Sequence, residues 1–363
     1  MKTINWYGAH PEEVSISMDI YQASLAEEIR EDDPYEIQGW PKGPLELGRG
    51  KRRLHRFAGK YLTYPLRVRL ESGAADLVHF LDHSSGHLVP HVADGVKTVV
   101  TLHDLIPLHD FGGLTPKQLV RFRGVVENLR QADRVVSVSE FSKQEAVDLL
   151  SLNPEKIVVV PNGVKMPDQA PGQSVPVARM RENEVDRVVL SVGSTLERKN
   201  LSLLPAALKE ASRVSGKRWG LLRVGAPLSE TLKSAFAQCL GEGGLLEWGR
   251  ASAEELSAAY HDADVVVIPS RSEGFGLPVL EAFSHGTPVA CSNTSSLPEV
   301  CDGLGCLFPP DDAAEAGAKL VEAHERAEDE SFREQLVARA RAYSWRRSLE
   351  GLYEVYDDLL TIS

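Results

Sequence analysis

Short runs of β-branched and aliphatic residues recur along the chain, each bounded by polar or turn residues, and helical patterns lie between several of them. In the first half the runs cover residues 3–8, 76–81, 97–102, 134–138 and 156–160. In the second half they cover residues 187–193, 219–225, 263–268 and 288–291. Apolar runs that alternate with helices are typical of parallel sheets covered by helices on both faces.

This repeated pattern predicts an α/β protein made of two doubly wound, Rossmann-like domains that face each other across a cleft. Three prolines and a glycine within residues 166–176 indicate the linker. We therefore expect an N-terminal domain over 1–166 and a C-terminal domain over 184–344, followed by a last helix within 345–363. Ligands of such sheets bind at the carboxyl ends of the strands, so the residues just after each strand are the candidates for a site.

Composition excludes several classes of protein. The chain has 363 residues, enough for two domains, and its 42% apolar and 25% charged residues are typical of globular proteins. No apolar run approaches the roughly 18 to 20 residues that span a bilayer, and we expect no signal peptide. The net charge of −12 disfavours nucleic acid as a partner. The four cysteines lack metal-knuckle spacing, which favours free thiols and a cytoplasmic location.

The strongest candidate site is the segment from Glu273 to Glu281, EGFGLPVLE, directly after an apolar run. Gly274 and Gly276 allow backbone N–H groups to approach a ligand closely. The following proline favours a helix start, so a short helix is predicted over 277–285. The N–H groups and positive end of a helix suit a diphosphate, and the two carboxylates suit hydroxyl groups on either side of it. A plain glycine-containing loop is the alternative.

A second candidate is the segment after Gly193, GSTLERKNL, which also follows an apolar run. Arg198 offers a fork for phosphate oxygens, and Lys199 offers a compact positive charge. Adjacent basic residues are common on solvated surfaces, but their position after a strand favours a role in binding a diphosphate leaving group.

These segments carry a family resemblance. The stretch from Asp264 to Val300 contains EGFGLPVLEA, GTPV and SSLPEV, and it resembles family 4 (group 1) glycosyltransferases of GT-B fold. The resemblance extends to residues 138–143, 161–164, 192–200 and 343–345, and so spans most of the chain from about residue 76.

The resemblance implies retaining transfer of a hexose from a nucleoside-diphosphosugar, which is a substrate, with no cofactor and no obligatory metal. It implies that the diphosphate is bound by Arg198, Lys199 and the backbone around Gly274, the sugar by Glu273, and the ribose by Glu281. The residues implied in catalysis are His103, Arg198, Lys199 and Glu273. Those implied in donor binding are Gly193, Trp248, Arg250, Gly274, Phe275, Gly276, Leu277 and Glu281. The last helix is expected to pack back on the first domain.

Histidines in the first half raise two questions. His103 follows a strand, and the resemblance makes it a donor-sugar contact; Asp104 is expected to orient its imidazole. A histidine that only stabilises the loop is the alternative. His83, His87 and His91 recur every four residues, so a metal-binding helix face is conceivable. No arrangement of carboxylates or cysteines supports a metal there, and contacts with the acceptor stay open.

Two segments near the N-terminus stand apart. Similar enzymes often carry a Gly-Gly loop after the first strand, whereas this chain has the sequence from Gly8 to Ser17, where Ser15 or Ser17 is expected to cap the next helix. Residues Arg49–Arg69 contain eight basic residues and no acidic one. That segment is either a solvated helix face or a contact with an anionic acceptor or the inner face of a membrane.

Three classes of function remain: a glycosyltransferase, a GT-B-fold hydrolase, phosphorylase or epimerase, and a non-catalytic nucleotide-sugar binder. The first is favoured because the complete set of candidate residues is present. The run after His103 resembles bacterial mannosyltransferases and favours GDP-mannose slightly over a UDP-sugar. The acceptor is expected to be a glycan, a lipid-linked sugar or a small molecule in polysaccharide biosynthesis. No residue pattern indicates a protein nucleophile.

Overall fold

The computed structural model describes residues 1–8, 16–38, 62–109, 113–168 and 171–360; for residues 16 and 17 it describes the backbone. The chain forms two compact units. The first comprises Met1–Gly163 together with Trp345–Ser363, and the second comprises Val164–Ser344.

Each unit contains a parallel sheet whose strand order reverses next to its first strand. The strands are β1 Lys2–Tyr7, β2 Tyr35–Gln38, β3 Leu77–Phe80, β4 Lys97–Leu102, β5 Arg134–Ser137, β6 Ile157–Val159, β7 Arg187–Gly193, β8 Trp219–Gly225, β9 Leu245–Gly249, β10 Val265–Ile268, β11 Val289–Ser292 and β12 Cys306–Phe308. The order is β2-β1-β3-β4-β5-β6 in the first unit and β12-β11-β10-β7-β8-β9 in the second, with every neighbouring pair parallel. The order reverses between β1 and β3, and again between β7 and β10. The predicted doubly wound α/β fold is confirmed.

Helices connect the strands. They are α1 Ile16–Glu27, α2 Tyr64–Glu71, α3 Pro116–Val126, α4 Glu140–Leu150, α5 Val175–Glu182, α6 Leu204–Ser215, α7 Glu230–Leu240, α8 Ala253–Asp262, α9 Leu277–Ser284, α10 Leu297–Cys301, α11 Ala313–Arg326, α12 Glu330–Arg341 and α13 Trp345–Leu360. Short 3₁₀ turns supplement them, among them His83–His91, Ile106–Leu108 and Glu197–Lys199.

The helix α13 belongs to the first unit because it buries an apolar stripe there, including Leu349, Leu352 and Tyr356. Its polar contacts are also buried. The Trp6 indole N–H donates to Tyr356 Oη at 3.0 Å, and Tyr356 Oη lies 2.6 Å from His79 Nδ1. The other ring nitrogen of His79 lies 2.9 Å from Thr101 Oγ1. His79 is neutral, so one of its ring nitrogens donates and the other accepts within this network.

The second unit begins earlier than the predicted start at 184, because α5 packs on its sheet. Val177 and Met180 of α5 are fully buried. A side chain in place of Gly220 in β8 would meet the Met180 methyl group at 2.8 Å, so the helix lies directly against the strand. The proline-rich stretch predicted as a linker therefore includes the first turn of a structural helix, in which Pro176 occupies a position that needs no N–H donor.

Candidate functional site

The loops that follow β7 and β10 meet where the strand order of the second sheet reverses, which is the position at which doubly wound sheets bind ligands. Asn200 adopts a left-handed conformation with φ of 54°, and its Nδ2 donates to the carbonyl oxygens of Pro269 at 3.0 Å and Pro310 at 2.7 Å. The backbone N–H of Arg271 donates to Arg198 O at 2.8 Å. The two loops are thus tied to each other, and their charged side chains are brought together.

Glu273 lies at the centre of these charges and is only 7% exposed. Lys199 Nζ donates to Glu273 Oε1 at 2.6 Å, and Arg198 Nη1 donates to Oε2 at 3.0 Å. The hydroxyl of Ser270 also donates to Oε1, at 2.6 Å. The structure therefore brings three of the residues expected in catalysis into one ion cluster, to which Ser270 adds a donor that the sequence pattern did not reveal.

The Glu273 carboxyl is ionised in this environment. Burial by itself raises the pKa of a carboxyl, but the charges of Lys199 and Arg198 and the hydrogen bonds to the carboxylate outweigh it and lower the pKa of Glu273. An ionised carboxylate has about four acceptor positions. The two cations and the serine occupy three of them, which leaves about one on Oε2 for a further hydrogen bond.

Two serines hold the backbone of the loop that carries this carboxylate. The N–H of Glu273 donates to Ser295 Oγ at 2.9 Å. Ser296 Oγ lies 2.9 Å from Glu273 O and 2.8 Å from Phe275 O. Phe275 itself is buried, and its ring contacts the Tyr343 ring with centroids 5.9 Å apart. The predicted loop is therefore a rigid element supported by the segment between β11 and α10.

The glycines of this loop allow the chain to enter α9. Gly276 has φ of 102° and precedes Leu277, the first residue of the helix. A side chain at this glycine would meet Leu297 Cδ2 at 2.9 Å, so both the conformation and the space require glycine. Gly274 and Leu277 are half-buried. The helix runs over eight residues and ends at Ser284, one residue before the predicted end.

Glu281, in the second turn of α9, is half-buried and has no hydrogen bond to the ion cluster among the described residues, although the charge of Lys199 acts on it. The hydroxyl of Tyr260 donates to its Oε2 at 2.6 Å. Burial raises the pKa of Glu281, and the hydrogen bond from Tyr260 only partly offsets this. Tyr260 is in turn held by Thr287, whose hydroxyl donates to its carbonyl oxygen at 2.6 Å, and it stacks on His285. The tyrosine lies in α8, and the sequence did not predict this pairing.

Gly193, at the end of β7, rests on a buried arginine that the sequence reasoning also missed. Arg223 of β8 is 1% exposed, and its guanidinium donates to four backbone carbonyl oxygens at 2.5–3.0 Å. These oxygens belong to Ser191, Gly193, Ser194 and Val224. Burial lowers the pKa of Arg223 to about 10. A buried cation fixed to the carboxyl ends of β7 and β8 holds the start of the loop that leads to Arg198.

Trp248 and Arg250 lie at the end of the sheet's edge strand, β9, away from the reversal point. Trp248 is half-buried and Arg250 is exposed. Within the described ranges, the structure joins neither residue to Arg198, Lys199 or Glu273 by a hydrogen bond. Their predicted contact with the nucleotide base stays a prediction.

His103 lies at the end of β4 in the first unit and is buried. Its Nε2–H donates to Leu81 O at 2.9 Å, which leaves Nδ1 as the acceptor of a neutral ring. Tyr21 packs edge-on against the ring with centroids 4.7 Å apart, and burial lowers the pKa of His103. The expected orientation of the imidazole by Asp104 is wrong: Asp104 Oδ1 accepts from the N–H of Ile106 at 3.1 Å and caps the following turn.

The carboxylate that acts most strongly on His103 is Asp82, which is buried after β3. It accepts from the N–H of Ser84 at 2.7 Å, and its Oδ1 lies 3.7 Å from His83 Nδ1. That nitrogen accepts from the backbone N–H of His103 at 3.4 Å. The His103 loop is therefore held by the residues after the neighbouring strand, which no local sequence pattern indicates.

Two family models match the chain, "Glycosyl transferases group 1" over 178–343 and "Glycosyltransferase Family 4" over 21–166. A D-inositol 3-phosphate glycosyltransferase of Acidothermus cellulolyticus is 31% identical over 340 residues, which cover 88% of this chain and 75% of that protein. The chain belongs to the family 4 (group 1) glycosyltransferases. This makes it an enzyme, and the predicted hexosyltransferase class is confirmed.

Other proteins are similar to this glycosyltransferase. The O-antigen chain mannosyltransferase B of Escherichia coli is 29% identical over 291 residues, covering 77% of this chain and 75% of that protein. The structure of Anabaena Alr3699/HepE in complex with UDP and glucose matches with a TM-score of 0.73 at 15% identity, covering 99% and 100% of the two chains. The structural similarity shows the fold, which is the GT-B fold predicted from the sequence.

The histidines at 83, 87 and 91 do not form a helical face in this glycosyltransferase. They lie in the 3₁₀ segment His83–His91, where a spacing of four residues does not align side chains as it does in an α-helix. His83 is buried and His91 is exposed. In the described part of the chain, no group of three or more histidine, cysteine or acidic side chains is arranged to hold a metal ion.

The first loop and most of the basic segment, which the sequence singled out, lie outside the described residues. These are residues 9–15 of the first loop and residues 49–61 of the basic segment, together with the side chain of Ser17. The described end of the basic segment carries two paired arginines: Arg67 donates to Glu71 at 2.8 Å, and Arg69 to Asp94 at 3.3 Å. None of the helices in the described ranges combines the length and the apolar character needed to cross a membrane.

Proposed function

We propose that this glycosyltransferase transfers a hexose from a nucleoside-diphosphosugar to an acceptor hydroxyl with retention of the anomeric configuration. The observation that carries the proposal is the pair of cations, Arg198 and Lys199, held beside Glu273 at the point where the strand order reverses. A diphosphate gains negative charge as its bond to the sugar breaks, and preorganised cations stabilise that charge. The positive end of α9, which begins at Leu277 after the loop that carries Glu273, suits the same anion.

In this proposal Glu273 recognises the sugar and does not act as an acid. Its lowered pKa keeps it ionised near neutral pH, so it has no proton to give to a leaving group. The acceptor position left on Oε2 suits one hydroxyl of the donor hexose. This supports reading Glu273 and Glu281 as recognition groups for sugar and ribose, and not as the paired carboxylates of a glycosidase.

The proposed reaction needs no protein nucleophile. The acceptor oxygen bonds to the anomeric carbon on the face from which the diphosphate departs, the bond between sugar and diphosphate breaks, and the acceptor proton passes to a phosphate oxygen. Arg198 and Lys199 supply the positive charge, so we propose neither a cofactor nor a metal ion. His103 keeps its proposed role as a sugar contact, through Nδ1 as the acceptor of a hydroxyl proton.

For the donor we propose GDP-mannose, with a UDP-sugar as the second candidate. The similarity to a mannosyltransferase supports mannose, whereas a structural neighbour was solved with UDP and glucose. Glu281 is proposed to accept hydrogen bonds from the ribose, and the end of β9 with Trp248 and Arg250 to hold the base. The acceptor is proposed to be a glycan, a lipid-linked sugar or a small molecule, as in polysaccharide biosynthesis.

Incubation with GDP-mannose, UDP-glucose and ADP-glucose, each with and without a panel of sugar acceptors, tests the proposal. Formation of an α-linked product from an α-linked donor would support retaining transfer. Release of free sugar or conversion of the donor in every mixture would favour a hydrolase or epimerase, and binding without turnover would favour a nucleotide-sugar binder. The product's anomeric configuration, read by NMR, decides retention.

We also propose a cytoplasmic location with peripheral contact at the inner membrane face. The described cysteines form no disulfide, as expected in a reducing compartment. The closest approach is between Cys291 Sγ and Cys301 Sγ, which lie 3.4 Å apart as free thiols. The basic segment supports attraction to anionic lipid. Co-sedimentation with vesicles that contain anionic lipid, at low salt, compares the natural protein with Arg52→Glu and Arg53→Glu. Absence of binding by the natural protein would reject the membrane contact.

A further inference from the structure

The ion cluster gives Glu273 a second consequence beyond contact with a sugar. Its carboxylate neutralises the two cations that the proposed function assigns to the diphosphate, at 2.6 Å for Lys199 and 3.0 Å for Arg198. The Glu273 side chain is 9% exposed, and the side chains of Lys199 and Arg198 are 16% and 21% exposed. Salt and water screen charges at such buried positions much less than charges on the surface. An incoming phosphate therefore meets a site whose positive charge is already partly balanced.

The Glu273 carboxylate affects the binding of a nucleoside diphosphate and of an intact donor differently. Both bring a diphosphate that the Glu273 charge repels. Only the donor brings a hexose hydroxyl, which can donate to the acceptor position left on Glu273 Oε2. A hydrogen bond to a charged group strengthens binding by about 10- to 150-fold, which offsets the repulsion for the donor alone. The nucleoside diphosphate left after transfer has lost that hydroxyl and keeps the repulsion.

We propose that Glu273 determines the preference of this site for the intact nucleotide sugar over the free nucleoside diphosphate. The inference rests on the proposed function, because it takes the diphosphate to bind at Arg198 and Lys199. Glu273 is then a specificity-determining residue that weakens product binding as well as a group that contacts the sugar. It favours release of the nucleoside diphosphate after each transfer and entry of the next donor.

The test is calorimetric titration of the natural protein and of Glu273→Gln with GDP, GDP-mannose, UDP and UDP-glucose. The substitution removes the charge and keeps the shape. It should tighten binding of the nucleoside diphosphate about 10-fold or more, from the loss of like-charge repulsion at short range. The affinity for the donor should stay about the same, because the lost bond to the carboxylate offsets the relief of repulsion. The ratio of donor affinity to nucleoside diphosphate affinity should therefore fall about 10-fold.

Asp311→Asn is the matched control, because it also converts a carboxylate to an amide beside an arginine. Asp311 pairs with Arg271 at 2.6 Å, but its side chain is 72% exposed. Its substitution should leave all four affinities within about twofold, as expected for a screened surface pair. A similar gain in this variant would attribute the effect to net charge and would overturn the proposal.

If a thermal denaturation curve shows that Glu273→Gln is not folded, a second variant keeps the proposal testable. Glu273→Asp retains the charge and should keep the weak binding of the nucleoside diphosphate. Tightening of 10-fold in this variant, or unchanged or weaker nucleoside diphosphate binding in a folded Glu273→Gln, would reject the inference while leaving the proposed function intact. Failure of the natural protein to bind any of the four nucleotides would reject the proposed function itself.

Discussion

In the second unit Glu273 is ionised between two cations, whereas in the first unit His79 and His103 are buried as neutral rings. Both groups lie at or near the carboxyl ends of their sheets. The pKa of Glu273 is lowered because positive charges and hydrogen bonds outweigh its burial. Burial, with a neighbouring imidazole, lowers the pKa of His79 to about 3. The second unit thus pairs its central carboxylate with cations, whereas these two histidines of the first unit stay neutral.

This difference fits two kinds of recognition. Paired cations that keep free donors suit an anion such as a diphosphate. The neutral ring of His103 has Nδ1 as an acceptor that suits an uncharged sugar hydroxyl, whereas both ring nitrogens of His79 are bonded within the unit. The contrast predicts that the first unit is sensitive to protonation of its histidines and the second to loss of its paired charges.

The largest expected effect is acid destabilisation of the first unit through His79. Its pKa is about 3 in the folded protein, below the ordinary value of 6.5. The group therefore contributes stability above pH 6.5, and this is lost as the pH falls from 6.5 towards 3. The whole effect is about 4–5 kcal/mol of unfolding free energy. Hydrogen exchange of β1, β3 and α13 between pH 7 and 5 should show the first part of this loss, about 2 kcal/mol.

His79→Gln separates this contribution from those of other groups. Glutamine offers a donor and an acceptor to Tyr356 and Thr101 but does not titrate. The variant should be less stable than the natural protein at pH 7, with a shallower dependence on pH between 7 and 5. Equal slopes in the two proteins would show that His79 is not the neutral group that makes this unit acid-sensitive.

The next effect is loss of transfer in Lys199→Ala. Removing one donor from a site that stabilises developing charge typically costs about 10²–10³ in kcat. Lys209→Ala removes the same charge from an exposed position of α6 and should stay within about twofold. Initial rates with saturating GDP-mannose or UDP-glucose measure both variants. Retention of most of the activity by Lys199→Ala would mean that Arg198 and the α9 terminus suffice.

The sequence predicted the interior strands but missed three that lie at sheet edges. These are β2, β9 and β12. Interior strands such as β10 are buried on both faces and read as continuous apolar runs, whereas β2 and β9 are partly exposed and lose that pattern, and β12 is only three residues long. The predicted domain start at 184 was too late because α5 is a short helix that begins within the proline-rich stretch.

The candidate site was predictable where chemistry follows a strand in the chain, and not where it comes from a neighbouring strand. Arg198, Lys199 and Glu273 are adjacent in space because both loops follow strands at the reversal point. Arg223 is a single polar residue within an apolar run, and only the sheet shows which carbonyl groups it meets. Asp104 was expected beside His103, but neighbouring side chains on an extended chain point in opposite directions.

Glu281 is the exception in the second unit, because it is a carboxylate with a raised pKa and a tyrosine partner instead of a close ion pair. Glu281→Ala should weaken nucleoside diphosphate binding about 10- to 150-fold, the loss expected for hydrogen bonds to a charged group. Glu281→Gln keeps an acceptor for the Tyr260 hydroxyl and should lose less. Calorimetry that gives equal affinities for all three proteins would remove Glu281 from the ribose site.

The smallest effect concerns the residue that holds this carboxylate. Tyr260→Phe should weaken nucleotide binding about 2- to 10-fold at neutral pH, less than Glu281→Ala, because Tyr260 acts on the nucleotide only by holding the Glu281 carboxylate. Only ionised Glu281 is a pure acceptor for ribose hydroxyls, so affinity should fall as the pH drops towards its raised pKa. The Tyr260 hydroxyl lowers that pKa, so the fall should begin at a higher pH in the variant.

Ser257→Ala, on the same helix, removes a hydroxyl that contacts His285 at 2.7 Å and should leave the pH profile in place. The affinity for GDP or UDP between pH 8 and 5 measures all three proteins. If the profile of Tyr260→Phe coincides with that of the natural protein, Tyr260 does not set the charge of Glu281. The charge of Glu281 would then follow from its burial and from Lys199, and the contrast with the neutral histidines of the first unit would depend on the ion cluster.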